Sequence, residues 1–127
     1  MLGARVRDRV DGCGCAGEGR DARDAPGERI HVFGPLGNGF RLDVERPLLV
    51  GGGIGIAPLP YLAGQLGGAL PVVLGFRSEE HAAAAALLPG AEVVIDPVLV
   101  TDALPEGYDV LACGPEPMLH ALAELCP

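Results

Sequence analysis

The stretch LLVGGGIGIAPLPYL, residues 48–62, decides the fold. An apolar run, four glycines within five residues (Gly51, Gly52, Gly53 and Gly55) and a proline-bearing helix start read as a buried strand that ends in bare backbone. Glycine lets backbone amides approach a ligand closely, and a helix that follows turns its positive end to the same point. That arrangement suits a phosphate diester, above all a pyrophosphate. The spacing is not the ordinary G-x-G-x-x-G fingerprint, because the third glycine falls on Ile56 when counted from Gly51 and on Pro58 when counted from Gly53. Tight packing of strand on helix explains a glycine cluster equally well, and both explanations stand at this stage.

Outward from this stretch the pattern repeats. PVVLGF, AEVVID and YDVLACG are continuous apolar runs, separated by APLPYLAGQLG and EEHAAAAALL and followed by EPMLHALAELC. Strands covered on both faces read as unbroken Val, Leu and Ile, and their alternation with helices implies an α/β fold with an open parallel sheet and helices on both faces. Ser78 with Glu79 and Glu80 predicts an N-cap and acidic first turn for a helix over Ala82–Leu88, stopped by Pro89-Gly90. Pro115 and Pro117 suit the start of the last helix. Three more strand ends, Gly75-Phe76-Arg77-Ser78, Asp96-Pro97 and Ala112-Cys113-Gly114-Pro115, outline one crevice with the glycine run, since ligands in such sheets sit beyond the carboxyl ends of the strands.

The totals narrow the function. A chain of 127 residues holds one ordinary core, and 49% hydrophobic residues with only 4% aromatics makes that core aliphatic. A formal charge of −8 argues against non-specific binding to nucleic acid or an anionic membrane surface. MLGARVRDRVDG lacks the apolar segment of a signal peptide, so a cytoplasmic protein is expected. Cys13, Cys15, Cys113 and Cys126 do not form paired C-x2-C clips, and no metal site is assigned. Residues 1–28, polar and without apolar spacing beyond Asp11, read as a flexible arm, residues 29–46 as a short β hairpin-like element, and residues 47–127 as the α/β domain.

GPLGNGF at 34–40, LLVGGGIGIAPL at 48–59, VVLGFRS at 72–78 and DVLACGPEPML at 109–119 together resemble the pyridine-nucleotide half of the ferredoxin–NADP reductase superfamily. More narrowly they resemble the electron transfer subunits of two-subunit bacterial dihydroorotate dehydrogenases. The resemblance implies an NAD(H)-binding domain, NADP not excluded, in which Gly51, Gly52, Gly53, Gly55, Ala57 and Pro58 form the pyrophosphate loop. It implies Gly75 and Arg77 on the adenosine side, Cys113, Gly114 and Pro115 near the nicotinamide, and Gly34, Pro35, Leu36 and Gly37 against a flavin. Such subunits pass reducing equivalents from NADH through FAD and a [2Fe-2S] cluster to a dihydroorotate dehydrogenase-like catalytic subunit.

Against that pattern the chain reads as truncated at both ends. Only residues 1–33 stand where the family has a flavin barrel, so residues 1–28 would be a remnant of that domain, and the family's cluster cysteines lie beyond Cys126. The loop before Val100-Thr101-Asp102 is also shorter than the family's Asp-Asp-Gly-Ser loop, Asp96-Pro97-Val98-Leu99 leading directly into it. A missing last strand leaves a sheet edge for a partner or a second copy to cover.

Several residues read two ways. Arg77 suits the 2′-phosphate of NADP or simply covers Glu79 or Glu80; Asp96 suits a ribose hydroxyl or a turn. Cys113 is a small core residue or a neighbour of the nicotinamide, Tyr61 and Phe40 are ring contacts or core, and His31, His81 and His120 suit surface or cap roles. The reading these features favour is an electron-transfer oxidoreductase subunit; the alternative is a non-catalytic nucleotide-binding or assembly module that docks on a catalytic subunit.

Overall fold

The computed structural model describes residues 4–5 and 37–126. Its centre is a parallel sheet of β2 (Pro47–Gly52), β3 (Val72–Phe76), β4 (Glu92–Ile95) and β5 (Asp109–Cys113), in the order β5-β2-β3-β4. A two-residue strand, β1 (Ala4–Arg5), lies antiparallel outside β5, with Ala4 opposite Ala112 and Arg5 opposite Leu111. Register in the parallel part is fixed by pairs such as Leu49 with both Val72 and Leu111, and Gly51 with both Leu74 and Cys113.

The apolar runs are continuous because successive residues of a strand face opposite sides and both sides are covered. Leu49, Leu74, Leu111 and Cys113 face one core with Leu59 and Leu62 of helix α1 (Leu59–Gln65) and with Leu88. Leu48, Val50, Val73, Val110 and Ala112 face the other, with Val100 and with Leu119 and Leu122 of α3 (Glu116–Leu125). No polar or charged side chain is buried among the described residues, so both cores are held by apolar packing, largely aliphatic. This is the open α/β sandwich that the alternating pattern predicts.

The crossover from β3 to β4 departs from expectation. Instead of one helix over 82–88, α2 covers Glu79–Ala82 and a 3-10 stretch covers Ala83–Leu87. The alanines favour helix, but 3-10 winding, with its longer rise of ~2.0 Å against 1.5 Å per residue, spans more distance over the short segment that ends at Leu88 in the core. Ser78 has the extended backbone of an N-cap, yet its Oγ bonds His81 Nδ1 at 2.7 Å and caps no amide.

Of the expected hairpin-like element, residues 29–36 lie outside the described residues, as does the arm 1–28 apart from Ala4 and Arg5. The alternating Arg41-Leu42-Asp43-Val44 forms no strand. Phe40 and Val44 do pack on the core, but Leu42 between them is 51% exposed, and Arg41 and Asp43 pair with each other at 2.6 Å instead of entering a ladder. The segment is tied down from the sheet: Asp109 Oδ2 accepts from the amides of Glu45 and Arg46 at 3.1 and 3.3 Å, and the Asp109 amide donates to the Arg46 carbonyl at 2.7 Å. Beside β5, β1 meets the sheet edge over Leu111 and Ala112.

Replacing Leu111, fully buried on β5, by Ala should cost about 3 kcal/mol in urea unfolding, from lost burial plus the cavity left behind. Leu125→Ala, at a position 58% exposed, should change stability by no more than about 0.5 kcal/mol.

Candidate functional site

The glycines after β2 do different jobs. A Cβ on Gly55 would stand 2.1 Å from the carbonyl oxygen of Cys113 and 2.7 Å from the Cα of Gly114, so the turn after β2 lies backbone to backbone on the end of β5. A Cβ on Gly51 would meet Leu59 and Leu74 at 2.8 and 2.9 Å, and one on Gly75 would meet Val100 at 2.6 Å. Gly52 and Gly114 both make room for the thioether of Met118. These five answer to packing. Gly53 does not: it is exposed, takes φ +53°, and has open space where a side chain would project. That is the one bare, left-handed backbone position of the run facing outward.

A 3-10 turn, Gly53–Ile56, intervenes between strand and helix, so the chain does not pass straight from β2 into α1. The helix has Pro58 at its N-cap and Pro60 in its first turn, which removes amide donors from its start. The start of α1 thus offers fewer amide donors to an anion than the expectation assumed, and the 3-10 turn stands between it and β2.

Beyond the carboxyl ends of the strands lies a crevice of about 780 Å³. Gly52, Gly53 and Ile54 reach it from β2, Gly75 and Arg77 from β3, Asp96, Val98 and Leu99 from β4, and Pro115 and Met118 from β5 and α3. Its wall is predominantly apolar. Arg77 is exposed on it, and no hydrogen bond or ion pair joins Arg77 to another described residue, so it does not cover Glu79 or Glu80. A guanidinium without a partner among the described residues, on one crevice with an outward-facing glycine turn, suits an anionic ligand. A second cavity of about 890 Å³ lies at the opposite end of the sheet around Glu45, Arg46, Tyr108 and Asp109, where the Arg46 guanidinium stacks 4.7 Å from the Tyr108 ring centroid. Open α/β sheets take ligands at the carboxyl ends, which makes the first crevice the candidate site.

Of the residues expected there, the structure brings together Gly52, Gly53, Gly75, Arg77, Asp96 and Pro115. Gly51, Gly55, Ala57, Pro58 and Gly114 do not line it; Gly51, Gly55 and Gly114 instead admit close packing behind it. Gly37 is exposed on the irregular segment away from the crevice, and Gly34, Pro35 and Leu36 lie outside the described residues. Cys113, expected beside the ligand, is 5% exposed and turned into the core with Leu49 and Leu111, because residue 113 has the parity of the α1 face. Tyr61 is 76% exposed on α1 and outside the crevice. Ile54, Val98, Leu99 and Met118 line it without having been anticipated; exposed aliphatics carry no sequence signal of their own.

Comparison with curated proteins gives the same direction. Over 122 residues, 80% of this chain, it is 45% identical to the "Dihydroorotate dehydrogenase B (NAD(+)), electron transfer subunit" of Geobacillus sp. (strain WCH70), matching 48% of that protein. The protein of the same name from Bacillus caldolyticus is 44% identical over 126 residues, 84% of this chain and 49% of its own. The chain is a relative of these electron transfer subunits. It spans about half the length of the curated relatives it matches, as it does with the "Probable dihydroorotate dehydrogenase B (NAD(+)), electron transfer subunit" of Thermococcus kodakarensis, 36% identical over 118 residues. No family model matches the chain, and no solved structure does. Its α/β sheet is consistent with a ferredoxin reductase-like domain.

Among the described residues of this subunit relative, no group of three or more His, Cys, Asp and Glu side chains is placed to hold a metal ion. Cys113 belongs to one core and Cys126 packs on the other, where burial pushes its thiol above the usual range; Cys13 and Cys15 lie outside the described residues. No described helix is long and apolar enough to cross a membrane.

The division of labour among the glycines is open to direct measurement. Gly55→Ala should cost about 3 kcal/mol or more in denaturant unfolding, because the methyl meets immovable backbone. Gly53→Ala should cost only about 1–2 kcal/mol, the left-handed backbone penalty without a collision.

Proposed function

We propose that the crevice binds NAD(H), with NADP(H) as the competitor to be measured, and that the chain serves as an electron transfer subunit. It takes reducing equivalents from the reduced nucleotide and delivers them, through a flavin, to a dihydroorotate dehydrogenase-type catalytic subunit. The observation that carries this reading is one apolar crevice at the carboxyl rim lined by the outward-facing left-handed Gly53 and by Arg77, which has no partner among the described residues. The identity with electron transfer subunits over four fifths of the chain supports it.

The residues present fit such a ligand. Gly53 leaves backbone open to a diphosphate where any side chain would stand in the way, and Arg77 adds a cation that offsets the chain's formal −8 locally. Asp96 at the end of β4 is exposed on the same crevice and offers an acceptor to a ribose hydroxyl. The apolar wall around Pro115 and Met118 excludes water from a ring laid against it. A reduced nicotinamide held there supplies a hydride donor, and the chain's task is to fix its position and keep it dry.

Titration with NADH, followed by its fluorescence, should show saturable binding, and the same titration with NADPH gives the preference. Absence of binding by either nucleotide at about millimolar concentration, a free energy near −4 kcal/mol, overturns the reading. Arg77→Ala should weaken binding about three- to tenfold, with the difference shrinking as salt is raised, since the lost interaction is an exposed charge pair.

A further inference from the structure

The chain contains a single asparagine, Asn38, and a glycine follows it. Both residues are exposed, on the irregular segment that precedes β2. Neither the Asn38 carboxamide nor the Gly39 amide makes a hydrogen bond with another described residue. Most backbone amides of a folded chain are held in such bonds, so here a free amide nitrogen lies next in the chain to a free carboxamide carbon.

The fold makes no demand for glycine at position 39. A Cβ there would meet nothing within 4 Å, and its φ lies outside the left-handed region. Gly51, Gly55 and Gly75 are different, because a Cβ on any of them would collide with a neighbour. The effect of a bare Cα at 39 is chemical: no side chain shields the amide nitrogen, and the backbone around it turns easily.

We propose that Asn38 is a site of spontaneous deamidation, and that this modification loosens the segment leading into β2. The Gly39 amide nitrogen attacks the Asn38 side-chain carbonyl carbon. A new C–N bond closes a succinimide ring, the carboxamide C–N bond breaks, and ammonia leaves with the proton that the amide gave up. Water then opens the ring at either carbonyl, to aspartate or to isoaspartate. One water is consumed, one ammonia is released, and no electron changes hands. Both products add a negative charge to the formal −8. Isoaspartate also inserts a carbon into the main chain between Gly37, at φ +77°, and Phe40, which packs on the α1 core. The lengthened backbone shifts Phe40 from that seat.

The test ages the whole chain at mildly acidic and mildly alkaline pH, beside a sample kept unfolded in denaturant. Cleavage at Arg29 and Arg41 releases the peptide Ile30–Arg41, which holds the asparagine and is followed by mass and by an isoaspartate assay. The folded chain should gain about one dalton in this peptide, with isoaspartate present. The gain should be several-fold faster at alkaline pH, since the attacking amide must lose its proton. Aged protein should unfold at a lower temperature than fresh protein. Gly39→Ala should slow the reaction about tenfold without changing thermal unfolding, because the methyl crowds the attack yet fits the fold. A peptide that stays unaltered in the folded chain while the unfolded sample converts overturns the proposal. So does a Gly39→Ala chain that converts as fast as the wild type. An aged, converted chain that unfolds like fresh protein overturns the loosening.

Discussion

The turn after β2 rests on the end of β5 without a side chain between them. A methyl group on Gly55 would stand 2.1 Å from the Cys113 carbonyl oxygen, closer than any real contact, so the two backbones meet only because residue 55 is glycine. That contact fixes where the chain leaves the sheet. With the turn anchored on β5, Gly53 and Ile54 are left facing outward, and the crevice opens over the ends of β2, β3 and β4. A bulkier residue at 55 would lift the turn off β5 and move every group that Gly53 places. The ligand site thus depends on a packing requirement at a residue that does not itself line it.

The same economy runs through the neighbouring glycines. Gly52 and Gly114 enclose the Met118 thioether, which in turn forms part of the crevice wall, and Gly75 admits Val100 beneath the sheet's rim. Glycine-rich strand ends are commonly read as ligand cradles, and here most of the run is explained by elements approaching one another too closely for a Cβ. The proposed ligand meets the exception, Gly53, together with side chains from three other strand ends.

Charge and polarity divide the molecule in a way that suits this arrangement. The cores hold no polar side chain among the described residues, so the fold owes nothing to buried ion pairs and its charges are free to act at the surface. Against a formal −8, the crevice carries Arg77 as a cation with Asp96 and His81 on the same lining. The apolar wall suits the ring of the proposed nucleotide.

The sequence by itself determined the parallel α/β sheet, because unbroken aliphatic runs alternating with helical segments have few other ways to bury both faces, and it placed Gly53, Gly75, Arg77, Asp96 and Pro115 on one rim. It did not determine which way Cys113 turns, whether Arg77 pairs with its own glutamates, or that Arg41–Val44 forms no strand. Those outcomes rest on the register of β5 against β2, on side-chain reach, and on the hold of Asp109 over the segment's backbone. Nor did it show the glycines' separate tasks or the gathering of Ile54, Val98 and Leu99. A glycine reads the same in one dimension whether it admits a ligand or a neighbouring strand, and exposed aliphatics 44 residues apart become one surface only when β2 and β4 are laid on either side of β3.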